Sequence, residues 1–103
     1  MTSTTVAGLV FADFKDKVGS VFTVAEEGIP AIPLTLDEAK PLPARYAPEG
    51  GRGPFSLMFT GADMTILPQK LYRLRHAAMG EIEIFLVPVG KDDRGISYQA
   101  TFN

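Results

Sequence analysis

The C-terminal stretch constrains the chain most. Ile96, Tyr98, Ala100 and Phe102 alternate with Ser97, Gln99, Thr101 and Asn103. That period of two fits a strand with one buried face and fits no helix. The same period returns upstream. Ile32, Leu34 and Leu36 alternate with Pro33, Thr35 and Asp37, and Phe55, Leu57 and Phe59 with Ser56, Met58 and Thr60. The run Val21 to Ala25 has the β-branched and aromatic character of a strand. Pro33 cannot donate to a ladder, which places it on an edge strand or at a bulge.

The next two strands allow a register to be argued. Tyr72, Leu74 and His76 share one face and Arg73 and Arg75 the other, while Glu81 and Glu83 alternate with Ile82 and Ile84. A loop of Ala78, Met79 and Gly80 puts Gly80 where a left-handed residue is needed. Arg75 then opposes Glu83 and Leu74 opposes Ile84. A one-residue slip would set arginines against isoleucines, so burial disfavours it. Phe85, Leu86, Val87 and Val89 abandon the alternation. Both faces of that strand end are therefore expected to be covered, by a helix or a second sheet.

The N-terminus follows a different period. Phe11, Phe14 and Val18 recur at helical spacing, and Gly19 follows as a stop. A helix of about two turns is expected, docked by its Phe face because it is too short to stand alone. Residues 1–8 are small and polar and read as a loose tail, leaving 9–103 as a single β domain. The count is six strands and one short helix. It predicts a mainly β fold, a small antiparallel sandwich or partly closed barrel.

Composition excludes several kinds of chemistry. In 103 residues, ten Lys and Arg stand against twelve Asp and Glu, a net charge of -2. That is no footprint for nucleic acid or an anionic membrane surface. There is no Cys, so no disulfide frame, thiolate zinc site or cysteine nucleophile, and the one His excludes a metal site built on two imidazoles. The longest apolar stretch, Ile84 to Val89, has the length of a strand and cannot span a bilayer. The N-terminus lacks a positive, apolar leader. Synthesis in the cytoplasm is expected, with incorporation into a larger or extracellular assembly left open.

Local motifs add little chemistry. His76 offers a general base or a pH switch. No nucleophile is placed beside it by sequence, so a rim histidine bonded to the following turn is the better reading. Asp92 and Asp93 between Gly90 and Gly95 lack the alternate ligands and closing Glu of a calcium loop and read as a hairpin turn. Gly50, Gly51, Arg52 and Gly53 precede a strand rather than a helix, which a phosphate-cradling loop would need. Ser56, Thr60 and Ser97 lie outside any nucleophile elbow, and Glu26, Glu27, Asp37 and Glu38 form no fixed carboxylate pair. No catalytic, cofactor or metal residue is expected.

Two features point instead to binding. Residues 40–54 hold four Pro and three Gly and form the one long loop, carrying Arg45, Tyr46 and Arg52. The last strand ends the chain with Ser97, Gln99 and Thr101 outward and none of the Lys that blunts an edge. The expected partner is a protein, or a second copy, held through a sheet edge or the 40–54 loop. A small ligand between sheets, met by inward Tyr72, His76 and Tyr98, is the alternative.

Three segments carry a resemblance: Leu67-Pro-Gln-Lys-Leu-Tyr-Arg-Leu-Arg-His76, Met79-Gly-Glu-Ile-Glu-Ile-Phe-Leu-Val-Pro-Val-Gly90 and Tyr98-Gln-Ala-Thr-Phe-Asn103. They resemble a family of small bacterial proteins patterned L-P-Q-x-x-Y-x-L-x-H, F-L-V-P-V-G and Y-x-A-x-F-N. Asp13-Phe14, Phe22-Thr-Val24 and Pro54-Phe-Ser-Leu57 are similar too, so nearly the whole chain, 9–103, is covered. Lys70 and Ala77 depart from the pattern at turns. The family is a domain of unknown function. Members are encoded near proteins similar to phage tail-collar or tail-fibre subunits, so the resemblance implies a structural or assembly role and no catalytic residue.

Overall fold

The computed structural model describes residues 10–42 and 54–102. One helix, α1 (Phe11–Lys15), precedes six strands: β1 (Val21–Val24), β2 (Ile32–Pro41), β3 (Phe55–Gly61), β4 (Lys70–His76), β5 (Gly80–Asp92) and β6 (Gly95–Phe102). All pairings are antiparallel, in the order β1-β2-β3-β6-β5-β4, and β4 returns to β1 to close a ring. The fold is a closed barrel. Alternate residues point inward, as their period demands. Phe22, Leu34, Leu36, Phe59, Leu74, Ile82, Ile84 and Tyr98 are buried together with the rest of the inner rows. Each fully buried side chain of this size contributes roughly 1.5–3 kcal/mol.

The closing seam is short. Thr23 pairs with Arg75 and Val24 with Leu74, and the Ala25 N–H adds a bond to the Arg73 carbonyl at 2.8 Å. Just beyond, the Glu26 carboxylate accepts the Arg73 N–H at 2.6 Å, so a side chain ends the ladder there.

Closure corrects two expectations about edges. β6 is bonded to β3 on one side and β5 on the other, so the final strand offers no free backbone over its paired length. β2 is likewise paired on both sides, and Pro33 is not on an edge strand. The β2–β3 register begins at Thr35, so Pro33 lies past the end of that ladder and deprives it of no donor. The bulge in β2 falls at Asp37, between Leu36 and Glu38, and β5 carries another between Pro88 and Gly90. Such extra residues bend a strand and help a small ring to close.

The two ends of the barrel are plugged differently. α1 stoppers one end: the Phe14 ring lies 5.8 Å from both Phe55 and Phe102 and 6.2 Å from Phe22, centroid to centroid. The helix is shorter than the spacing of Phe11, Phe14 and Val18 predicts. It stops at Lys15, and Val18 is exposed. The Lys17 carbonyl instead accepts both the N–H and the hydroxyl of Ser20, and Gly19 turns the chain at φ +92°. At the far end Leu67, in the connection from β3 to β4, is buried over the inner row. There β3 and the β5–β6 turn also cross closely. Gly95 sits at φ +134°, and a Cβ on it would lie 1.9 Å from the Gly61 carbonyl oxygen.

The β4–β5 hairpin corrects the expected register by two residues. Arg75 opposes Glu81, Arg73 opposes Glu83, and Leu74 opposes Ile82. The loop is Ala77, Ala78 and Met79. Gly80 takes the left-handed conformation, φ +73°, while already paired with His76. Among the described residues, no helix is long and apolar enough to cross a membrane.

Candidate interaction surface

The inner row of β4 and its neighbours carry the polar groups that sequence marks for chemistry. His76 Nδ1 accepts the N–H groups of Ala78 and Met79 at 3.0 and 3.2 Å. A nitrogen that accepts two bonds carries no proton, so the proton sits on Nε2, 2.9 Å from Ser20 Oγ. Nε2 therefore donates to Ser20, whose own hydroxyl donates to the Lys17 carbonyl. This is the reverse of an activated serine, in which the imidazole accepts the hydroxyl proton. Burial, with the Lys17 charge adding to it, holds the imidazole below its usual pKa. Its ring packs 4.3 Å from that of Phe22. His76 thus bonds to its following turn as expected, and additionally ties that turn to the start of β1.

The two inward tyrosines are engaged in the same way. The Tyr72 hydroxyl donates to the Pro68 carbonyl at 2.5 Å. Burial, then the proximity of Tyr98 and Glu26, raises its pKa. Tyr98 accepts the Leu67 N–H at 3.0 Å and faces the Thr65 carbonyl at 3.5 Å. Among the described residues every buried side-chain nitrogen and oxygen has a partner. The interior rows expected to greet a ligand are satisfied by the chain's own backbone.

The outer wall differs. Leu71 of β4 and Phe85 of β5 are direct cross-strand partners, and each is 45% exposed. Next along the same two strands, Arg73 faces Glu83 and Arg75 faces Glu81. The Arg75–Glu81 pair closes at 2.9 Å, whereas among the described residues Arg73 and Glu83 form no ion pair. A groove of about 270 Å³ lies here, lined by Arg73, Glu81, Ile82 and Glu83.

Both faces of the Phe85–Val89 strand end were expected to be covered. Leu86 is inward and buried, but Phe85 and Val89 are exposed. The helix stoppers one end of the ring instead, and among the described residues all six strands belong to that ring, with no second sheet to stack on.

Ser97, Gln99 and Thr101 project from the outer face of β6, half-buried, half-buried and exposed in turn. Gln99 stands between Val87 of β5 and Met58 of β3. The strand's backbone is occupied, so only these side chains face outward for a partner. Arg45, Tyr46 and Arg52 lie outside the described residues. Sequence reasoning missed Leu71, although an apolar residue in step with Arg73 and Arg75 was a visible signal.

Elsewhere a groove of about 310 Å³ is lined by Pro33, Thr35, Asp37, Thr60, Ala62 and Arg94. Thr60 donates to the Asp37 carboxylate, and Arg94 stands 3.9 Å from it. Asp92 accepts the Arg94 N–H at 2.8 Å, a turn bond that accounts for its place in the hairpin. Among the described residues no group of three or more His, Asp or Glu is placed to hold a metal.

A family model described as a domain of unknown function, DUF6916, matches residues 9–102. No curated protein and no solved structure matches the chain.

Proposed function

The chain belongs to the DUF6916 family, and we propose that it is a non-enzymatic protein-interaction module that docks through the outer wall of β4 and β5. One observation carries the reading. A strand with the composition of a doubly covered one has an uncovered outer face centred on Leu71 and Phe85. Large exposed aromatic and aliphatic side chains beside arginine are the raw material of interaction hot spots. The interior supports the same reading, because among the described residues its buried polar side-chain atoms are already bonded within the chain. The resemblance to proteins encoded beside tail-collar-like subunits makes a phage-tail-like or surface assembly the setting proposed for it.

A photo-crosslinking residue placed at Phe85, in cells expressing the full chain, tests this. A discrete protein adduct from position 85, absent when the probe is at Glu38 on the outer wall of β2 and lost on adding Leu71→Asp, is the expected result. Equal labelling from both positions would overturn the reading.

A further inference from the structure

Resting on that reading, we infer that the occupant of the β4–β5 wall is a second copy of this chain, related by a two-fold axis that runs along the strands between β4 and β5. The charges select this arrangement. Arg73 and Arg75 lie on β4, and Glu83 and Glu81 lie level with them on β5. When two such walls face each other about an axis parallel to the strands, each β4 lies over the partner copy's β5. Arginines then meet glutamates, and Leu71 meets Phe85. An axis across the strands would set β4 over β4 and β5 over β5, placing arginine on arginine and glutamate on glutamate. A closed two-fold contact uses one self-complementary patch on both molecules, and this wall is self-complementary in only the first orientation.

The Arg73 and Glu83 charges, without an ion pair among the described residues, fit the same geometry. Arg73 and Glu83 are opposite in register yet, among the described residues, form no ion pair. In the dimer each faces the opposite charge of its neighbour, beside the groove that Arg73, Glu81 and Glu83 line. Two convex barrel walls touch over a narrow ribbon, less than the roughly 800 Å² per partner of a standard stable interface. The dimer is therefore a reversible one, populated at high protein concentration and weakened by salt.

Sedimentation velocity over a concentration series, with pairwise cross-linking, tests the proposal on the full chain. Arg73→Glu makes that row of the wall acidic on both strands, and Glu83→Arg makes it basic. Each variant alone should associate several-fold more weakly than the parent, and their equimolar mixture should recover association. The chain has no Cys, so single cysteines report cleanly. Facing sheets lie ~10 Å apart, which calls for a short bifunctional thiol reagent rather than a direct disulfide. Arg75→Cys mixed with Glu81→Cys, which lie level in the dimer, should give several-fold more covalent dimer than Arg75→Cys mixed with Phe85→Cys, whose levels lie ~13 Å apart along the strands. Circular dichroism verifies that each variant is folded.

An equal or higher yield from the Arg75→Cys and Phe85→Cys mixture would overturn the axis. A chain that stays monomeric throughout the series would overturn the dimer, while a foreign-protein adduct from position 85 would leave the docking reading standing. An adduct from position 85 to residues 1–9 or 43–53 of the same chain would assign the cover to the chain itself and defeat both.

Discussion

Two rows of side chains run along β4. The inner row, Tyr72, Leu74 and His76, is buried, and its polar atoms bond to the Pro68 carbonyl, the Ala78 and Met79 amides and Ser20. The outer row, Leu71, Arg73 and Arg75, is exposed, and only Arg75 has a charged partner among the described residues. The inner row holds the residue types that usually draw functional attention, a histidine near a serine and a tyrosine. Their bonding shows why type alone misleads. In a low-dielectric interior a polar group must be satisfied, and backbone that satisfies it also removes it from chemistry. The outer row is chemically plainer but has valence left over.

The sharpest way to break the inner half of this contrast is at its tightest contact. Gly95→Ala meets both a backbone conformation that L-residues avoid and a Cβ at 1.9 Å from the Gly61 oxygen. Strain and overpacking together should destabilise the barrel by about 3 kcal/mol or more. Urea denaturation followed by circular dichroism should show a chain mostly unfolded or with its midpoint sharply lowered. A parent-like midpoint would mean that the β3 and β5–β6 crossing is looser than described.

Tyr98→Phe sharpens the claim that interior hydroxyls serve the backbone. It keeps the ring and removes the acceptor of the buried Leu67 N–H. The expected loss is about 1–3 kcal/mol, read from the same denaturation curves. A loss near zero would show that this hydroxyl is dispensable.

His76 gives the comparison a pH axis. Its folded pKa lies below the value of about 6.5 that it has when unfolded. Between the two, the unfolded chain binds more protons, so stability rises with pH there. The contribution is complete above about pH 6.5, falls as the pH drops toward the lowered folded value, and levels off below it. In structural terms, a proton on Nδ1 abolishes the bonds from Ala78 and Met79. His76→Gln should flatten this part of the stability profile. The exposed Asp16 and Asp63 titrate below the ordinary carboxylate range, so their loss appears at more acid pH. An unchanged profile in the variant would refute the assignment.

How far the sequence reaches follows from the same two rows. Period two separates inward from outward, so the inner row and Arg73 and Arg75 of the outer row were legible, as were all six strands, while Leu71 was missed. It says nothing about slips of two, which leave every side chain on its own face. The β4–β5 register was therefore misread by two residues, and what decides it is local. His76 Nδ1 gathers the Ala78 and Met79 amides and holds the three-residue loop one position earlier, which shifts every pair by two. Ring closure was not legible either. It rests on two β1–β4 residue pairs joining segments about 50 residues apart, with no pattern in either to announce the match. The Ser20–His76 bond was hidden for the same reason, spanning 56 residues of sequence. Apolar residues on both sides of Phe85–Val89 were read as cover within one chain. Composition records that a face is greasy and not which molecule covers it.

The smallest expected effect on stability is on the outer wall, and its smallness is the point. Replacing Leu71 and Phe85 together by Gln removes a cross-strand pair whose two members are each 45% exposed. Such a pair contributes roughly 0.2–1 kcal/mol to a sheet, so denaturation midpoints should barely move. Leu74→Ala, three residues along β4 from Leu71 and on the inner face, should cost about 2–5 kcal/mol for the cavity it leaves. If the outer pair belongs to an interface, the Gln variant should lose concentration-dependent association while its monomer remains as stable as the parent's. Sedimentation and denaturation on the same sample separate these outcomes. A large stability loss from Leu71 and Phe85 would place them in this chain's own core, and the contrast between the two rows of β4 would fail.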